Sequence, residues 1–298
     1  MEAVNTNKSQ GWKRVLKIIL PYFIVVVIFQ LIGALIAGVD ILHLNEVHKT
    51  ATQLLILYFM SLLGTLLILW LFITKVDKKS FVSIGLTKGL IIKDSWMGLL
   101  LGFVLMGLGF ICLITIKQLE FVRIQFNALN LIQYFLLFIC IAFSEELLCR
   151  GYILNNLMIS FNKYVALVIS AIIFSLFHLG NANVNVVSLI IIFLSGLLLG
   201  LPYIYSKKLW FPIALHFSWN FFQGPIFGFN VSGITMTPLI VTKYKIANSW
   251  NGGEFGFEGS IVSLIFIVLA LMLVYFIFRN RKPDEEEEYL PAEGYDSI

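Results

Sequence analysis

Eight apolar stretches, each close to the length of a bilayer crossing, follow one another along this chain at short intervals. They run over Lys17–Val39, Thr52–Thr74, Ser95–Ile116, Leu129–Arg150, Tyr164–Leu179, Val184–Tyr205, Trp210–Pro225 and Ser260–Arg279. A helix needs about 20 apolar residues to span the ~30 Å hydrocarbon core. Barrel strands would alternate with period two, whereas these runs are continuous. The pattern therefore predicts an all-α fold, a polytopic bundle of about eight transmembrane helices. The fifth and seventh runs are short, so tilt or an end below the headgroups is expected there. A composition 59% hydrophobic and 13% charged over 298 residues excludes an ordinary soluble domain.

Basic residues set the expected orientation. With the N-terminus inside, Lys49, Lys117, Arg123, Lys243 and Lys245 fall on the outer side, and the other 16 of the 21 Lys and Arg, including Arg150, on the inner side. By the positive-inside rule both termini are then cytoplasmic in a multi-pass cell-membrane protein. The apolar run after Lys8, Lys13, Arg14 and Lys17 is too long for a signal peptide and reads as a retained helix. A net charge of +4, spread over membrane-edge loops, is no nucleic-acid signature, so the partners expected are lipid and a membrane-borne substrate. Cys112, Cys140 and Cys149 lie in or beside apolar runs and suggest buried thiols.

The chain divides into residues 1–94, with two helices and a basic inner loop, a core over 95–282, and an acidic tail over 283–298 that reads as disordered. The inner loop Asp77–Asp94 mixes lysines with apolar residues and suggests a segment lying along the membrane face. The outer loop Gly224–Gly259 is long, glycine-rich and apolar, which suggests a lid or plug. His43 and His48 read as surface residues. There is no internal repeat, and that weighs against a transporter.

Polar residues inside the apolar runs carry the chemistry. Glu145, Glu146 and Arg150 sit in the fourth run. Ionised side chains near a helix centre cost about 2.5–3.5 kcal/mol each on the insertion scale. Glu146 and Arg150, four apart, share a helix face and can pair. Glu145 points about 100° away and needs another partner. The fifth run ends in Phe174-Ser175-Leu176-Phe177-His178, and the seventh holds His216-Phe217-Ser218-Trp219-Asn220. A carboxylate beside an imidazole can take a proton from water. Two histidines and a glutamate can instead hold a zinc ion with an open position, here Glu145, His178 and His216. Asn220 offers donors for an oxyanion. Trp219 and Gln223 are further candidates for the pocket wall.

Glu145-Glu146-x-x-x-Arg150, Phe174-x-x-x-His178 and His216-x-x-x-Asn220 together resemble the three motifs of the CPBP (Abi) family, which includes CAAX prenyl endopeptidases and bacteriocin-processing or immunity proteins. The resemblance covers roughly Ser95 to Asn220. It implies an eight-helix intramembrane endopeptidase in which Glu145 and His178 activate water. His216 and Asn220 would hold the oxyanion, Glu146 would complete the catalytic set, and Arg150 would be structural or substrate-positioning. The family is described both as metalloprotease and as metal-independent, so zinc stays open as a cofactor. The implied substrate in a chain of bacterial style is a hydrophobic peptide or membrane-protein segment, in bacteriocin or signal-peptide processing or self-immunity. Family members lacking motif residues leave a non-catalytic scaffold or immunity protein as the alternative. Depth raises one difficulty: with helices ending at the apolar boundaries, His178 stands too far from the inner edge to meet Glu145. The fourth and fifth helices are therefore expected to extend inward, the fourth to Asn155 or Asn156.

Overall fold

A computed structural model of the chain describes residues 10–40 and 49–281. His43, His48 and the acidic tail lie outside the described residues. The expected helices are present: α1 Gly11–Ala37, α2 Ala51–Leu71, α3 Ile91–Thr115, α4 beginning at Ala128, α5 Lys163–Phe177, α6 Val186–Ser206, α7 Trp210–Phe221 and α8 Ile261–Phe278. The α2 path continues as π-helix over Phe72–Val76, and α7 over Phe222–Ile226. Six of the helices are long and apolar enough to cross a bilayer; α5 and α7 are the shorter ones. The protein is an all-α, multi-pass membrane protein.

Polar side chains start several helices at the expected places. Thr50 caps α2 and Asn185 caps α6, each in a reciprocal box with the residue three on, Gln53 and Ser188. Asn162 accepts from the backbone N–H groups of Tyr164 and Val165 to start α5. The lipid-facing flanks are apolar: Leu20 and Leu35 of α1, Leu100 of α3 and Phe276 of α8 are all exposed. In water that surface would drive aggregation, whereas against acyl chains it costs nothing.

Packing partners are α1 with α2, α2 with α4, α3 and α4 with α7, and α5 and α8 with α6. The α3–α7 approach depends on glycine. A Cβ at Gly102 would stand 2.6 Å from Ser218 Cβ, and one at Gly98 would stand 2.6 Å from the Phe211 carbonyl oxygen. This Gly98-x-x-x-Gly102 pair lets two backbones meet where no hydrophobic force pulls helices together.

The inner and outer loops are both built structures. In Asp77–Asp94, Phe81–Ile84 forms a 3-10 turn and Ile84 is buried. Tyr203 donates to the Ile84 carbonyl, Leu209 N–H to Gly85 and Trp210 Nε1 to Thr87. The segment thus plugs the inner ends of α6 and α7 as well as flanking the membrane. Two ion pairs tie this end together, Arg14–Asp77 at 3.1 Å and Arg281–Asp94 at 2.6 Å. On the outer side the helical pattern gives way to two strands that the apolar periodicity does not signal. β1 (Leu119–Ile124) pairs antiparallel with β2 (Ile240–Tyr244), with an irregularity between Phe121 and Arg123. The ribbon anchors the outer loop to the end of α3.

The fourth helix does extend inward. From Ala128 it runs without interruption to Ser160, 33 residues, passing through a π-helical stretch at Leu147–Leu154. At 1.5 Å per residue that is about 50 Å, well beyond the hydrocarbon thickness.

Candidate active site

Helix lengths bring the motifs to one level. Glu145 stands 15 residues before the inner end of α4 at Ser160, and His178 stands 15 residues after the inner start of α5 at Lys163. Both are therefore about 22 Å from the inner turn that joins the helices. The depth difficulty disappears because α4 overruns its apolar boundary. The cluster consequently lies near the middle of α4, deeper than the apolar boundary alone would place it.

Glu145 Oε2 lies 3.9 Å from His178 Nε2 and 3.8 Å from His216 Nε2. These separations are too long for direct hydrogen bonds and suit a bridging water. Glu145 keeps 32% of its side-chain surface exposed, although its Oε2 has no hydrogen-bond partner among the described residues. Glu146 is the opposite case. Its side chain is wholly buried, and Oε1 accepts from Arg150 Nη1 at 2.8 Å and from His216 Nδ1 at 2.7 Å. The neighbouring acids thus occupy different environments, as a 100° turn between them requires.

Arg150 is not a loop residue of the inner face. Only 1% of its side chain is exposed. Nη2 donates to the Gly196 carbonyl at 3.1 Å, and the guanidinium carbon lies 4.4 Å from the centre of the Phe174 ring. It therefore drops out of the basic count on that side, which remains heavily lysine-rich without it. Gly196 permits the contact, since a Cβ there would press to 3.0 Å from Ala171 on α5.

Both histidines are held through Nδ1. His178 is the residue at which α5 ends, and its Nδ1 bonds the Phe174 carbonyl at 2.8 Å. A carbonyl only accepts, so Nδ1 carries the hydrogen. The Glu146 carboxylate fixes the same arrangement in His216. Both Nε2 atoms therefore face Glu145. Asn220, one turn beyond His216, is 5% exposed and lines the same cavity, with no hydrogen bond among the described residues. Trp219 also lines it. Gln223 does not: it is buried and donates to the Asn230 carbonyl at 2.7 Å, bracing the outer loop instead.

The cavity holds about 860 Å³. Leu148, Cys149 and Phe174 line it near the cluster. Asn181, Ser232 and Glu254 line it at the end formed by the outer loops. The expected lid is a folded loop there. Ser232 N–H and Oγ both donate to Glu258 Oε2, at 3.0 and 2.7 Å, and Asn230 Nδ2 donates to the Glu254 carbonyl. Tyr244, at the end of β2, has its phenol pushed up in pKa by burial and secondarily by the Glu254 charge.

Two contributions exceed what motif spacing predicts. Phe174 supplies both the acceptor for His178 and the face for Arg150. Tyr22, Gln30, Tyr58, Ser61 and Thr65 of α1 and α2 line the cavity although they precede every motif. Their only trace in the sequence is that they are polar residues inside otherwise apolar runs.

The Glu145, His178 and His216 donors have the chemistry of a zinc set. Their spacing does not match one. Tetrahedral ligands at 2.0–2.1 Å from zinc stand about 3.3 Å apart, half an ångström less than the separations here. Among the described residues no group of three His, Cys, Asp or Glu is placed to hold a metal ion. Comparison with curated proteins and with solved structures returned no match. Residues 127–222, which contain the whole cluster from Glu145 to Asn220, match the family model described as Type II CAAX prenyl endopeptidase Rce1-like, a match over about a third of the chain that is consistent with a CPBP-family intramembrane protease.

Proposed function

We propose that this protein is an endopeptidase that cleaves a hydrophobic peptide or membrane-protein segment with water activated by Glu145. The observation that carries the reading is the gap between Glu145 Oε2 and the two Nε2 atoms at 3.8 and 3.9 Å. A water in that gap bonds to Glu145 and to His178 Nε2, and Glu145 takes its proton as the oxygen attacks the scissile carbonyl. His216, as imidazolium between the Glu146 and Glu145 carboxylates, donates Nε2–H to the developing oxyanion. Asn220 adds an amide N–H. Collapse of the intermediate breaks the C–N bond, and Glu145 passes its proton to the leaving amine. Atoms balance with one water consumed.

Glu146 positions His216 and Arg150 positions Glu146. The substrate class, the zinc alternative, cytoplasmic termini and a role in peptide export or self-immunity remain parts of this proposal. The decisive experiment is substrate trapping. Membranes containing Glu145→Gln protein are compared by mass spectrometry with those containing the native protein. A peptide that accumulates uncut only with Glu145→Gln, and is cut by purified native protein, supports the reading. Cleavage unchanged by Glu145→Gln removes Glu145 from the mechanism, and no cleavage by purified native protein leaves the non-catalytic scaffold. Metal content measured beside a chelator titration of the purified enzyme decides the zinc alternative.

A further inference from the structure

The cavity lining runs from the catalytic level to the outer loops. Near the catalytic level it is lined by Leu148, Cys149 and Phe174, and on the inner side of the bundle the Phe81–Ile84 turn packs against the ends of α6 and α7. Toward the outer loops it continues past Ser61 and Tyr58 to Ser232 and Glu254. The wall opposite the cluster comes from α1 and α2, outside the segment matched by the family model.

That wall is polar where lipid-embedded helices should not be. Tyr22 and Thr65 hydrogen-bond each other at 3.2 Å, and Ser61 bonds the Leu57 carbonyl. Gln30 and Tyr58 have no hydrogen-bond partner among the described residues, yet both line the cavity. An unpartnered amide or phenol in an apolar setting costs several kcal/mol by transfer scales, so such groups in a cavity wall imply water or a polar occupant. A peptide that is to be cut must present an extended backbone, whose N–H and C=O groups need partners in a water-poor site. Thr65, Ser61, Tyr58 and Leu54 fall three to four apart on one face of α2, so the strip rises about 17 Å from the cluster toward the loops. At ~3.3 Å per residue this fits about five residues of extended chain.

We propose that substrate peptide enters from the end carrying the Gly224–Gly259 loop, which the lysine distribution makes extracytoplasmic, and lies extended along the α1–α2 strip with Gln30 and Tyr58 as backbone partners. The peptide occupant rests on the endopeptidase reading, whereas the side of entry does not. The test uses Tyr58→Cys and Gln30→Cys in a chain whose three native cysteines are replaced by alanine. A membrane-impermeant trimethylammonium methanethiosulfonate is added to right-side-out or inside-out vesicles. Lys245→Cys reports the outer face and Lys88→Cys the inner. Two positions guard against one variant misfolding. The expected result is modification of both cavity cysteines at least ten-fold faster from the Lys245 side, and that side outermost. Labelling from the Lys88 side, from neither side while both reporters react, or with Lys245 on the cytoplasmic face overturns the side of entry. A Leu/Val-rich synthetic nonapeptide should slow labelling at least three-fold in the Glu145→Gln background; no slowing overturns the extended-peptide site. Absence of any cleavage by purified native protein, with outer labelling intact, would defeat the endopeptidase reading alone.

Discussion

Adjacent turns of α4 hold two kinds of charge, and exchanging one for a neutral isostere should separate them. Arg150→Met removes the guanidinium and leaves Glu146 wholly buried with His216 Nδ1 as its remaining partner; Glu146 Oε2 already lacks one among the described residues. Breaking a buried ion pair from one side costs about 3–5 kcal/mol. Loss of the stack on Phe174 adds on the order of 1 kcal/mol. At roughly 2–4 °C per kcal/mol for chains of this size class, the midpoint should fall by on the order of 10 °C. Glu145→Gln, at a side chain 32% exposed and without a hydrogen bond among the described residues, should stay within about 0.5 kcal/mol. The assay is thermal denaturation in detergent at fixed scan rate, followed with a thiol-reactive dye, since Cys140 and Cys149 are buried and free in the native fold. A double Glu146→Leu/Arg150→Met variant should recover part of the lost stability, because no orphaned charge remains, but not activity, because His216 loses its acceptor. An Arg150→Met midpoint within about 2 °C of native, or a double variant less stable than Arg150→Met, would refute the structural assignment of this pair.

Asn220→Ala should lower kcat about 10²–10³-fold with little change in KM if its amide meets only the oxyanion, as steady-state kinetics on the trapped substrate will show. Gly102→Val should cost about 1–3 kcal/mol by forcing α3 from Ser218 and Trp219, read as a lower melting midpoint together with reduced activity. Glu258→Ala removes the acceptor for Ser232 N–H and Oγ, and should speed limited proteolysis within 228–240 several-fold while leaving the bundle intact.

Most of the fold is legible because lipid imposes a strict rule. A continuous apolar run has few alternatives to a helix, and all eight runs became helices with ends within a few residues of their polar boundaries. The exceptions have physical causes. α4 passes its apolar boundary because Arg150 and Asn156 are buried in the bundle, where Arg150 is paired and Asn156 bonds its own helix through the Tyr152 carbonyl. Hydropathy alone reads such residues as a loop. The β1–β2 ribbon is not legible either, since its register is set by pairing across more than 100 residues. At the site, motif spacing brings out Glu145, Glu146, His178, His216 and Asn220, because one helical turn separates partners within each motif. It does not reveal Gln223's turn toward the outer loop or the α1–α2 wall. Those depend on which helices become neighbours.

The three motifs are coupled by the members that do no chemistry in the proposed reaction. Arg150 joins Glu146 of its own motif to the Phe174 ring of the second and to α6 through Gly196. Phe174 then fixes His178 through its carbonyl, and Glu146 fixes His216 of the third. Each imidazole is thereby held at Nδ1 by an atom outside the reaction, leaving both Nε2 atoms aimed at Glu145. That arrangement accounts for the spacing of four in the first two motifs, where Arg150 supports Glu146 and the Phe174 carbonyl supports His178 from one turn away; in the third, the same spacing puts His216 and Asn220 on one face toward the cavity. It also has a consequence for measurement. Effects of Arg150→Met and His216→Ala on catalysis should be strongly non-additive, because the first already disorders what the second removes. The effects of His178→Ala and Gly102→Val, which share no partner, should combine nearly independently. Additive losses for Arg150→Met and His216→Ala would show that the hydrogen-bonded chain through Glu146 does not transmit positioning to the imidazole.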